Sequence, residues 1–143
     1  MDQTKLTASL EQEDRLLRQG ALQDAEALYS EILDDTPGQP SASQGLGLIA
    51  LHTGHASAAV ELLQMASIGL PEDATVHTHL GLAFATAGDA QSAEGCYRKA
   101  ISLATDYADA HLNLANLLLE SGRIEDSAAE YETATNIAPE SGA

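Results

Sequence analysis

Aromatic residues make up only 3% of this 143-residue sequence and tryptophan is absent, so a sheet packed through β-branched and aromatic side chains is a poor expectation. Alanine, leucine, glutamate and glutamine are abundant instead, and they favour helix. The sequence predicts an all-α protein. Bases are scarce too: six Lys and Arg stand against 22 Asp and Glu, for a net charge of −16. So few cations cannot neutralise a track of phosphates, and there is no aromatic platform for stacking bases. Nucleic acid and anionic membranes are therefore poor candidates as partners. The single cysteine, Cys96, cannot close an intramolecular disulfide. Nothing then demands an oxidising compartment, and a cytoplasmic location is the default expectation. No stretch is apolar for 18 residues, and Met1 to Leu6 shows no basic segment leading into an apolar run. Neither membrane insertion nor a classical export signal is expected. The length suits one compact domain or one short repeat array.

What the chain does have is a period. Gly20, Gly54, Gly88 and Gly122 are spaced 34 apart. Five positions beyond each stands a small residue, Ala25, Ala59, Ala93 or Ser127, and nine beyond a large one, Tyr29, Leu63, Tyr97 or Tyr131. Seventeen beyond come Pro37, Pro71, Thr105 and Pro139. The markers divide the chain into four units, at about 6–39, 40–73, 74–107 and 108–141, in one array over 1–143.

Each marker suits a helix-turn-helix unit. Glycine accepts the left-handed conformation that ends a first helix. The small residue lets two helix backbones approach, and the large one, a turn further along the same face, fills the space between them. Proline cannot continue a helix interior and so punctuates the loop to the next unit. Apolar spacing agrees, as in Ala21, Leu22, Ala25, Leu28, Tyr29, Ile32 and Leu33, which follow the three-or-four step of an amphipathic helix.

On these residues the chain resembles the tetratricopeptide repeat family, from about Leu6 to Pro139. The third unit carries the pattern best, with Leu80-Gly81, Phe84, Gly88, Ala93, Tyr97 and Ala100. Departures are Gln12-Glu13 in place of Leu-Gly, which suits an N-terminal capping unit with a polar outer side, and Ser43, His77 and His111 where a large residue usually opens the first helix. The resemblance implies a right-handed α-solenoid of four helix-turn-helix repeats whose concave wall is lined by the first helix of each.

The positions that would line that wall are Asp14, Leu17 and Arg18 in the first unit and Gln44, Leu48, Leu51 and His52 in the second. The third supplies Thr75, Thr78, His79, Leu82 and Thr86, and the fourth Asp109, Leu112, Asn113, Asn116, Leu119 and Glu120. The leucines make a broken apolar stripe edged by polar and acidic groups, suited to an amphipathic helix or an extended peptide; alternatively, individual leucines pack against the neighbouring first helix. The acidity either keeps the surface solvated or attracts a basic or amphipathic partner. The positions with which some relatives grip a chaperone's terminal carboxylate hold Leu10, Asp14, Gly45, Thr75 and His79, with no lysine or arginine among them.

No catalytic residue, cofactor or metal site is expected. His77 and His79 point to opposite sides of one helix, His52 and His55 lack an evident third ligand, and Cys96 has no positioned base. The expected function is a scaffold that binds a peptide or protein segment in its concave groove. Two alternatives stand beside it: a self-assembling structural module, and the recognition arm of a larger enzyme. Arrays of this family commonly finish on an extra helix, whereas only Glu140 to Ala143 follow Pro139. The last helix is therefore expected to leave Ile124, Tyr131, Ala134 and Ile137 uncovered, a patch for a second copy in a homodimer or, alternatively, for a following repeat or domain.

Overall fold

The computed structural model describes residues 20–137, and all of its regular structure there is helical. Residues 20–35 form α1. Three helix pairs follow: α2 (Pro40–His52) with α3 (Ala56–Gly69), α4 (Ala74–Thr86) with α5 (Ala90–Leu103), and α6 (Ala108–Glu120) with α7 (Ile124–Ile137). Each pair begins 34 residues after the last, as the sequence period requires. The expectations for Leu10, Gln12, Glu13, Asp14, Leu17 and Arg18 lie outside the described residues.

Turn chemistry sets the boundaries. Gly54, Gly88 and Gly122 have φ of +84°, +90° and +82°, a conformation that costs other residues dearly. In each case the residue after the glycine donates its N–H to the carbonyl four residues before the glycine, at 2.8 to 2.9 Å, which closes the first helix of the pair. Gly20, the first described residue, is helical, so it does not repeat this turn. At the starts, Asp73 accepts from the N–H groups of Thr75 and Val76, Gln39 from Ala42, and Asp89 from Ser92, satisfying donors that a helix leaves orphaned.

Packing within a pair depends on missing side chains. A Cβ placed on Gly47 would lie 2.7 Å from Leu63. Leu63 and Tyr97 are the large markers of successive units, and each fills the room its glycine leaves. Tyr97 then meets the next pair: it is 2% exposed in a cluster with Ala93, Leu114, Leu117 and Leu118. A second cluster joins Ala59, Leu63, Leu80 and Ala83, and Phe84 packs against both. The core is thus a continuous seam between neighbours, which is what makes a solenoid quasi-one-dimensional.

Two histidines lock the loops. His77 Nε2 is 2.8 Å from the Pro71 carbonyl, and His111 Nε2 is 2.9 Å from that of Thr105, the same link one period later. Buried His111 also places Nδ1 2.7 Å from the Glu130 carboxylate on α7. In the second unit Ser43 takes this position, and its buried hydroxyl has no partner among the described residues.

Candidate binding groove

Helices α2, α4 and α6 are the first helices of their pairs, and α4 contacts both of the others. Gln44 and His79 join α2 to α4, with Nε2 and Nδ1 3.5 Å apart. Burial holds the His79 imidazole below its ordinary range; Asp73 and Asp109 pull the other way, and His52 adds slightly to the depression. His79 therefore presents a neutral ring to this seam.

Between α4 and α6 lies a depression of about 160 Å³ lined by Leu82, Ala85, Tyr97, Asn113, Asn116, Leu117 and Glu120. The structure thus brings together Leu82, Asn113, Asn116 and Glu120 from the expected groove. Ala85, Leu117 and the Tyr97 ring were missed by sequence reasoning. Ala85 follows Leu82 by three positions on one helix face, a signal that a search for large residues passes over. Tyr131 Oη donates to Asn116 Oδ1 and fixes that carboxamide at the rim. Burial, with Cys96 and Glu120 nearby, pushes the Tyr97 phenol up to about 12.

Leu82 is 38% exposed and Leu119 49%, so both can meet a guest; Leu112, His52, Thr75, Thr86 and Asp109 are exposed as well. Leu48 is half-buried, and Leu51 packs on the cluster of Ala59, Leu63, Leu80 and Ala83, so it serves the core as much as the groove. Thr78 is a correction. It is 2% exposed, and its hydroxyl donates to the Ala74 carbonyl one turn back, which lets so short a side chain sink between helices. It backs the wall and does not line it.

The α7 patch also shrinks. Ala134 is 8% exposed and already belongs to the core, because a methyl on the inner face of the pair is covered by the chain itself. Ile124 is 65% exposed, and Tyr131 and Ile137 are half-buried.

The charged residues of α2, α4 and α6, histidines aside, are Asp109 and Glu120. The described cations sit elsewhere: Arg98 and Lys99 on α5, and Arg123 in the turn before α7. Arg98 and Arg123 both reach Glu94, at 2.9 and 2.7 Å, and Arg98 first among these contacts holds that carboxyl below its usual range.

No three His, Cys, Asp or Glu side chains come together to hold a metal among the described residues. Burial, with Asp89 nearby, pushes the Cys96 thiol up to about 11, which removes its nucleophilic form at neutral pH. Among the same residues, no helix is long and apolar enough to cross a membrane.

The sequence matches the tetratricopeptide repeat family over residues 16–81 and 84–143. The chain belongs to that family. Solved structures of tetratricopeptide proteins share the architecture. One crystal structure of MamA is 25% identical, with a TM-score of 0.79 over 88% of this chain and 74% of the other. MamA from Desulfovibrio magneticus RS-1, residues 41 to the end, is 20% identical, with a TM-score of 0.78 over 85% of this chain and 69% of that one. A thermophilic repeat protein of Thermus thermophilus is 24% identical, with a TM-score of 0.72 over 87% and 69%. No curated protein matches by sequence. The repeat fold supports a protein-protein interaction scaffold in general terms.

Proposed function

We propose that the tetratricopeptide array binds a polypeptide segment along the face of α2, α4 and α6. The observation that carries this reading is the pairing of exposed Leu82 with a depression rimmed by Asn113, Asn116 and Glu120, continued by exposed Leu119 on the next turn of α6. Apolar anchors next to a few fixed polar groups are what a peptide site needs. Those helices carry no lysine or arginine, so a basic or amphipathic segment suits them and an acidic one does not. Scaffolding of this kind asks for no chemistry from the chain itself.

Affinity capture from the source cell tests it, with wild type beside Leu82→Glu/Leu119→Glu. Both leucines are exposed, so the variant should keep its helix content while losing the specific partner. Retention of the same partner by a folded variant would contradict the groove.

A second reading, self-association through α7, is favoured by the 65% exposure of Ile124 and by the half-buried state of Tyr131 where Tyr97 is almost fully covered. A two-fold contact would cover both copies with one patch. Sedimentation at several concentrations tests it: a dimer that Ile124→Glu dissociates supports it, and a concentration-independent monomer sinks it.

A further inference from the structure

We propose that the depression between α4 and α6 is a specificity pocket for one long basic side chain, arginine foremost, carried by the bound polypeptide. The proposal rests on the groove reading above and adds the chemistry of the anchor. At about 160 Å³ the space takes a single side chain, well short of the volume small-molecule sites usually occupy. Its lining is divided. Leu82, Ala85, Leu117 and the Tyr97 ring supply apolar lining, and Asn113, Asn116 and exposed Glu120 supply polar lining.

An arginine matches both parts, because its methylenes lie along apolar surface while the guanidinium stays at a wet, polar edge. A leucine or methionine would meet the apolar lining but offer Glu120 no partner. An aspartate or glutamate would meet the carboxylate with like charge. Among the described residues, no cation of the chain itself competes for this position: Arg98 and Arg123 are held by Glu94 on other elements, and Lys99 is exposed on α5. Asn116 accepts from Tyr131, which holds its carboxamide beside the pocket.

Titration of the isotope-labelled full chain with Nα-acetyl-arginine amide, followed by NMR, tests the pocket. The uncharged probe Nα-acetyl-norleucine amide has a similar stem and serves as the control. The arginine probe should saturably shift the amide signals of Leu82, Asn113, Leu117 and Glu120, and the norleucine probe should bind about fivefold more weakly, the scale of an exposed ion pair. Glu120→Gln should weaken arginine binding by about the same factor, while Glu125→Gln, at an exposed site outside the pocket, should leave it unchanged. Equal binding of the two probes, insensitivity to Glu120→Gln, shifts scattered over the acidic surface, or no saturable shift would each overturn the basic pocket. None of these touches the capture experiment with Leu82→Glu/Leu119→Glu, whose failure tells against the groove itself.

Discussion

Gly81 faces the ring of Tyr97 so closely that a Cβ on the glycine would lie 2.6 Å from it. The tyrosine can be swallowed only because the opposing helix has no side chain there. In the last pair, Ala115 stands in the glycine's place and Tyr131 is only half-buried. Gly81→Ala should therefore push Tyr97 outward and destabilise the fold by about 1–3 kcal/mol, the scale of core overpacking, whereas Gly95→Ala, with open space around it, should be neutral or stabilising. Urea denaturation followed by circular dichroism measures both.

Truncating the tyrosines should rank them by burial. Tyr97→Ala should cost on the order of 3 kcal/mol, and Tyr131→Ala roughly 1 kcal/mol, because among the described residues α7 packs on α6 alone. Equal costs in chemical denaturation would mean that something covers α7 in solution.

His111 bridges three segments, with Glu130 on one nitrogen and the Thr105 carbonyl on the other, whereas among the described residues His77 makes its loop link to Pro71 alone. His111→Ala should then cost about 2 kcal/mol, since it strands a carboxylate and a carbonyl, and His77→Ala should cost less. A double-mutant cycle with Glu130→Ala should show positive coupling; additive losses would deny the bridge an energetic role.

Cys96 and Tyr97 make stability depend on alkaline pH. Burial raises the thiol from its ordinary 9.0 to about 11 and the phenol from 10.0 to about 12. The stability this represents is complete below pH 9, where both states are protonated, and is lost as pH rises through the folded values, since the unfolded chain ionises first. Denaturation midpoints should fall between pH 9 and 11, and Cys96→Ala should flatten the early part of the fall. Iodoacetamide should alkylate folded Cys96 far more slowly than the denatured chain at about pH 8.

The repeat was legible because each marker answers a local constraint. Only glycine sits easily at the φ of residues 54, 88 and 122, and only a small residue fits against Leu63 or Tyr97. Periodicity places a residue on a helix face but says less about its depth. Gln44, Thr78 and Leu112 share one register position, yet Thr78 is buried and Leu112 exposed, because the threonine satisfies its hydroxyl on its own helix. The same limit left Leu51 open between groove and core and hid the burial of Ala134. The Glu130 partner of His111 was not visible either, since residues 19 apart on two helices carry no spacing rule.

A photo-crosslinking residue placed in turn at Leu119, on the α6 face, and at Ile68, 80% exposed on α3, asks most directly which surface receives a partner. Binding along α2, α4 and α6 predicts a crosslinked partner from position 119 and none from position 68. A partner captured from position 68 alone would contradict the groove.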